Sequence, residues 1–346
     1  MGGREYHSSR GAAADRMQRF PRLPFCGTAA AARSGMAGQT EHYDVVIVGG
    51  GPAGLSSALM LGRCRRKTLV CDSGHYRNRA AQAMHGYLSR DGVEPAEFLN
   101  LARQEIERYP SVALWFGEVT DVIRAQGGFV VERQRAERVT ARKLVLATGV
   151  IDELPELEGA AELMGRGVFH CPYCDGWELA DQPLAAYGRQ DVRGAGLSLL
   201  LTSWSRDVVL LCDGPAELEA ELRARLLRAG VVIDERRVAS LQAEDGRLAW
   251  ISFDDGSRLA RRGLFFNTGR HQGSDFAARL GCEEAEVRGC VVGRSGKTSI
   301  PGLFVAGDAS RDVLQVVVAA AEGAEAAIEI HCELLRDDGV LPPSDD

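Results

Sequence analysis

The sequence has no apolar run approaching the roughly 20 residues that a helix needs to cross a bilayer, which excludes a helical membrane span and a membrane partner of that kind. Positive charge is also short. With 41 Lys and Arg against 48 Asp and Glu, the formal net charge is −7. The basic residues are dispersed rather than striped, so nothing favours nucleic acid as a partner. Nine cysteines form an odd set without a disulfide-framework spacing, which suits a reducing, cytoplasmic compartment where one pair is catalytic. No second Cys/His pair at ligand spacing is found among Cys26, Cys64, Cys71, Cys212, Cys282, Cys290 and Cys332, so no metal is expected. The 346 residues, 45% apolar and 26% charged, are enough for two globular domains with sizeable cores.

What the chain does carry is Cys171-Pro172-Tyr173-Cys174, followed at once by Asp175-Gly176. Two thiols three residues apart can exchange electrons as a dithiol/disulfide pair. Pro172 suits a first helical position and leaves Cys174 about one turn in, where backbone N–H groups and the helix dipole favour a thiolate. Asp175 supplies a carboxyl that could carry a proton to or from a leaving thiol. His170 could lower a thiol pKa or act as a base, with simple packing as the competing reading. The bland alternatives for the pair are two core cysteines or half a zinc site.

A second feature indicates what the thiols exchange electrons with. Tyr43 to Val48 is a short apolar run, Gly49-Gly50-Gly51-Pro52-Ala53-Gly54 fits G-x-G-x-x-G, Leu55 to Arg63 has helical periodicity, and Lys67 to Cys71 opens another strand. Strand, motif, helix and strand in this order form a βαβ unit. Its glycines permit a tight turn and a close backbone approach to a pyrophosphate at the helix N-terminus. Asp72, at the end of the second strand, is placed to accept the ribose hydroxyls of an adenosine. Near the C-terminus, Gly302 to Ala309 reads as a buried strand ending in Gly307 and Asp308, and such a carboxylate can hold a polyol chain.

With these residues in view, residues 41 to 333 resemble the thioredoxin-reductase-like flavoprotein disulfide reductases. The resemblance implies two Rossmann-like, three-layer ββα domains of α/β class, a homodimer, and FAD on the first βαβ unit with Asp308 on its ribityl chain. It also implies that Cys174 faces the flavin while Cys171 meets the substrate. Ala147-Thr148-Gly149 matches a landmark of that family, and Thr268-Gly269 resembles its counterpart in the second domain. Arg77 and Asn78 resemble residues lining the FAD site, with a solvated loop as the competing reading. His85 lies in a segment, Met84 to Gly92, that the family folds near the flavin.

The expected organisation is a discontinuous FAD domain enclosing a second domain. Residues 1–40, with six arginines among Ala, Gly, Ser and Pro, read as a disordered extension; a targeting peptide or a gene start upstream of Met36 are the alternatives. Residues 41–154 form the first part of the FAD domain, with strands at Val112 to Phe116, Glu118 to Arg124, Gly128 to Arg133 and Lys143 to Ala147. Glu153 to Glu158 reads as the hinge into residues 155–288, which carry the Cys pair, strands at Leu184 to Tyr187 and Asp207 to Cys212, and a helix through Leu199 to Thr202. Residues 289–334 return to the FAD domain, and 335–346 form a flexible tail.

The second domain departs from the reductase pattern. The second glycine fingerprint expected for NADPH becomes Arg189-Gln190-Asp191-Val192-Arg193-Gly194, whose bulky side chains obstruct backbone approach to a pyrophosphate. After the next strand, Cys212-Asp213-Gly214-Pro215-Ala216 offers no cation for a 2′-phosphate until Arg223, and Asp213 would repel one. NAD(P)H use is therefore doubtful. The stretches from His170 to Glu178, Leu199 to Ser205 and Met84 to Gly92 are similar to the small-molecule dithiol oxidases. That resemblance implies oxidation of a dithiol, a small-molecule metabolite or a small redox protein, with electrons passing through the Cys pair and FAD to oxygen or another acceptor. An NAD(P)H-dependent thioredoxin reductase and a flavin-bound redox sensor are the alternatives.

Overall fold

The structure is a computed structural model and describes residues 40–188, 192–282, 293–310 and 313–343. Strand β1 (Glu41–Val48) leads through Gly49–Gly51 into α1 (Pro52–Arg63), followed by β2 (Thr68–Asp72), α2 (Pro95–Ile106), β3 (Val112–Phe116), β4 (Val119–Ala125), β5 (Gly128–Arg133) and β6 (Glu137–Leu146). The sheet runs β3-β2-β1-β6-β5-β4. Its β3, β2, β1 and β6 strands are parallel neighbours, while β4 and β5 form the antiparallel side. Val45, Val46 and Ile47 of β1 are all fully buried, the continuous apolar run that a parallel strand covered on both faces requires.

The sequence places the last of these strands at Lys143 to Ala147, but β6 begins at Glu137. Val139 and Ala141 already alternate inward against Phe129 and Val131, so the third meander strand and the strand returning to the sheet are one ten-residue element.

Strand β7 (Val150–Asp152) leaves this sheet, and the chain enters a second one with β8 (Val168–Phe169), α3 (Pro172–Asp175), β9 (Leu184–Tyr187), α4 (Val192–Leu201), β10 (Val208–Leu211), α5 (Ala220–Arg228) and β11 (Val232–Asp234). A three-stranded antiparallel layer follows, of β12 (Val238–Glu244), β13 (Arg247–Phe253) and β14 (Arg258–Ala260), before β15 (Gly263–Phe266) completes the parallel order β11-β10-β9-β15-β8. Strand β16 (Arg270–Gln272) pairs antiparallel with β7. Helix α6 (Phe276–Arg279) precedes β17 (Leu303–Val305), which adds to β6 of the first sheet, and α7 (Val316–Asp337) packs across α1. The architecture is thus α/β, with two Rossmann-like layered units, the first built from both ends of the described chain.

Two further expectations need adjustment, and three fall outside the described residues. The helix expected through Leu199 to Thr202 is α4, which ends one residue earlier, at Leu201. The tail expected from residue 335 starts inside α7: the helix continues to Asp337, Asp338 accepts from Arg66 and Arg142, and Val340 N–H caps Leu335 C=O at 2.8 Å. Positions 189–191 of the degraded fingerprint and the return boundary at 289 lie outside the described residues, as do residues 1–39.

Candidate redox site

The first half of the site is built by the β1–α1 turn. Gly49 has φ +117°, and a Cβ there would lie 2.2 Å from Ala147 O; a Cβ at Gly54 would lie 1.9 Å from Gly49 O. Only glycine lets this turn close against β6 and α1. Gly51, by contrast, has nothing within 4 Å of its Cβ position, so open space stands over the N-terminus of α1, where Pro52 occupies the first turn and the early N–H groups lack helical partners. Gly50 backs onto Asp72, with a Cβ 2.1 Å from Asp72 Cγ. Asp72 is buried, accepting from Arg103 Nη2 and from Gly74 N–H, both at 2.8 Å.

The C-terminal half converges on the same turn. Gly307, at φ +80°, would bring a Cβ to 2.8 Å from Ala53 Cβ, and a Cβ at Gly323 of α7 would lie 2.0 Å from Ala53 O. Glu322, buried on α7, accepts the Gly307 N–H at 2.8 Å and the Ser310 hydroxyl, fixing the turn that carries Asp308. Arg77 reaches Asp308 Oδ2 at 3.0 Å and grips Asp152 of β7 through two 2.7 Å bonds. Burial pushes the Asp308 pKa up despite Arg77, with the Asp152 and Glu322 charges adding to the rise. Asn78 is half-buried, and its carbonyl accepts the Ala81 N–H at 3.0 Å. Gly149, at φ +66°, opens the β7 ribbon and accepts from Gly273 N–H at 2.8 Å. An open helix N-terminus with a buried carboxylate at Asp72 and a half-buried one at Asp308 suits FAD, whose pyrophosphate the α1 turn would hold.

Cys171 and Cys174 form a disulfide at the start of α3. The local helix is shorter than the thiolate argument from the sequence assumes. Helix α3 has only four residues, and the N–H groups of Cys174 and Asp175 are both spent on Cys171 C=O, at 3.1 and 3.2 Å. Little helix dipole is left to stabilise a thiolate. A side-chain donor that the sequence reading missed is Gln315, directly before α7, which places Nε2 3.5 Å from Cys171 Sγ and 3.4 Å from Cys174 Sγ. Its only signal in the sequence is a single amide opening an apolar helical run, seven residues past Asp308.

The ionisable residues around the disulfide divide by environment. Asp175 is pushed up to about 7, chiefly by burial and then by Glu178, with His85 opposing. It can therefore both give and take a proton near neutrality. His170 is driven down to about 4 by burial and by Arg77, against the pull of Asp152, so its imidazole is neutral above that range. It cannot serve as the cation that lowers a thiol pKa. His85 lies between Glu178 Oε1 at 3.4 Å and Asp91 Oδ1 at 3.5 Å, tying the 84–92 segment to the turn that follows the Cys pair. Beside the disulfide, Tyr173 is 67% and Trp177 77% exposed, with Tyr173 edge-on to Trp204.

A redox disulfide together with a dinucleotide-binding turn defines an FAD-dependent disulfide oxidoreductase. The pyridine nucleotide-disulphide oxidoreductase family profile matches residues 43–324, and the chain belongs to that family, as a thioredoxin-reductase-like member. It is 32% identical to the thioredoxin reductase tcpT of Claviceps purpurea, over 85% of this chain and 95% of that protein. The crystal structure of HlmI superposes with a TM-score of 0.83 at 35% identity, covering 87% of this chain and 96% of HlmI. An oxidoreductase from Agrobacterium tumefaciens gives 0.79 at 36% identity, over 85% and 99%.

Proposed function

We propose that this enzyme oxidises a dithiol, a small-molecule metabolite or a small redox protein, to a disulfide. The observation that carries the reading lies at the ends of β9 and β10, where the second domain would have to grip a reduced pyridine nucleotide. Tyr187 Oη donates to Asp213 Oδ2 at 2.8 Å, and Asp213 Oδ1 accepts the Val238 N–H at 2.9 Å. A structural carboxylate thus stands where a 2′-phosphate needs cations. Two nearby cations are engaged elsewhere: Arg223 with Glu235 at 2.7 Å, and Arg236 with Asp234 and Ser257. Electrons are then expected from the thiol side. The exposed rings of Tyr173 and Trp177 favour an organic dithiol at the mouth.

In this reading a substrate thiolate attacks Cys171 Sγ, breaking the Sγ–Sγ bond and releasing Cys174 as a thiolate. The second substrate thiol attacks the mixed disulfide, closing the substrate disulfide and freeing Cys171; the net transfer is two electrons and two protons to the Cys pair. Asp175 moves a proton at the leaving sulfur. FAD, which the Gly49–Gly54 turn with Asp72 and Asp308 would hold, would supply a two-electron acceptor, with oxygen or another oxidant as the final one. The same reading takes the protein as a cytoplasmic homodimer. Steady-state oxygen consumption with a dithiol tests it: dithiol-dependent turnover is expected, and NADPH-dependent reduction of thioredoxin without it would favour the reductase reading that the tcpT name carries.

A further inference from the structure

We infer that Gln315 is a catalytic residue whose amide N–H groups stabilise the thiolate released at Cys174 and make the Cys171–Cys174 pair a stronger oxidant. The inference rests on the thiol chemistry proposed above, but its test reads the thiol itself.

The geometry assigns the role by exclusion as well as by contact. The Nε2 atom is almost equidistant from the two sulfurs, at 3.5 and 3.4 Å, so its two hydrogens can serve one sulfur each. The residue is anchored at its backbone, and its amide oxygen faces Gly86. Gln315 is the extended residue capping the 22-residue α7, its backbone C=O accepting the Ala319 N–H at 2.9 Å, and its Oε1 lies 3.6 Å from where a Cβ on Gly86 would stand. Gly86 is itself at φ +78°, and its N–H is bound by Asp91 Oδ1 at 2.8 Å.

No cation takes this role among the described residues. The Arg77 guanidinium is spent on Asp152 and Asp308, His85 faces Glu178 and Asp91, and His170 is neutral at working pH. In the α3 turn the N–H groups of Cys174, Asp175 and Gly176 are spent on the Cys171 and Pro172 carbonyls. Gln315 remains as the side-chain donor in reach, backed by the N-terminal end of a long helix.

The consequence follows from the difference between the two redox states. A disulfide sulfur is a weak acceptor, whereas a thiolate is a charged one and binds an N–H much more strongly. When the substrate thiolate opens the bond at Cys171, the electron pair of the broken Sγ–Sγ bond goes to Cys174 Sγ, and the amide gains most of its bond strength there. An interaction stronger in the reduced state lowers the Cys174 pKa and raises the reduction potential of the pair, the direction that an enzyme drawing electrons from a dithiol requires.

The test uses the full-length, flavin-loaded chain carrying Cys171→Ser, so that Cys174 is the only site thiol, and follows its alkylation by iodoacetamide against pH. Gln315→Met keeps the length of the side chain and removes the donor; the alkylation midpoint should rise by about one pH unit. Gln315→Glu places a carboxylate on the sulfur and should raise it further. In the two-cysteine protein, Gln315→Met should make the pair about 30 mV more reducing in equilibrium with glutathione, the same tenfold change. Flavin content and melting temperature report that the variants are folded. A midpoint in either variant equal to that of Gln315 would overturn the inference even if dithiol turnover is intact. The expected shift in a protein that does not oxidise dithiols would uphold it and overturn the proposed function instead.

Discussion

Arg77 holds Asp152 with two parallel 2.7 Å hydrogen bonds while its third arm reaches Asp308 at 3.0 Å. One guanidinium on the loop after β2 thereby joins the ribbon that leaves the first sheet to the turn that presents the second carboxylate of the dinucleotide site. All three side chains are largely buried. The Asp152 carboxyl is held below the usual range by these bonds against the opposing effect of burial.

Replacing Arg77 by Leu should leave two buried carboxylates without their cation and cost roughly 3–5 kcal/mol of stability. The loss should depend on pH. In the wild type, the stability from ionised Asp152 is present above its unfolded pKa and lost as pH falls through its lowered folded value; in the variant, both acids have raised values and are least costly when protonated. Thermal melts should show a larger gap between the two proteins at pH 8 than at pH 4.5. An equal gap at both would mean that the ion pair is not what Arg77 contributes.

Asp175 offers a second pH signature. Its folded value of about 7 lies above the unfolded one, so its contribution is fully present below about pH 4 and is lost as pH rises towards 7, when a buried carboxyl must ionise. Asp175→Asn should therefore be more stable than wild type at pH 8 and lose that advantage at pH 5. The same substitution should slow turnover by roughly 100-fold and remove a pH-rate limb near 7. A pH-rate profile unchanged by the substitution would assign the proton to another group.

Much of this was legible in the chain. The Gly49–Gly54 turn, Asp72, the Asp308 strand end and the Cys pair are local patterns, and local patterns survive into the fold: β1, α1, β2 and β9 lie where periodicity places them. What escaped was relational. Gln315 is 141 residues from Cys174, Asp152 is 75 from Arg77, and Tyr187 is 26 from Asp213, and no spacing rule links them. Thiolate stabilisation was misread for a related reason: Pro172 marks where a helix starts, but nothing local shows that it stops after one turn.

The open space at Gly51 predicts that Gly51→Arg abolishes flavin binding, because the side chain would occupy the pyrophosphate position over α1. Absorbance near 450 nm per folded chain measures this. A folded wild type that takes up no FAD would contradict the site.

The two thiols should separate by role. Cys171→Ser leaves a thiolate at Cys174 and should show long-wavelength charge-transfer absorbance in the flavin-loaded protein, whereas Cys174→Ser should not. Both should lose turnover. Equal absorbance in the two variants would reverse the assignment of the flavin-proximal sulfur.

The central claim is the direction of electron flow, and anaerobic stopped-flow mixing of the oxidised, FAD-loaded protein with either a dithiol or NADPH tests it most directly. With Asp213 rather than a cation after β10, two charge-assisted hydrogen bonds to a 2′-phosphate, of roughly 1.5–3 kcal/mol each, are expected to be missing, and NADPH binding should be weakened about a hundredfold or more. The account predicts fast flavin bleaching by the dithiol, recovery on admitting oxygen, and little response to micromolar NADPH. Rapid bleaching by micromolar NADPH, coupled to thioredoxin reduction, would contradict it.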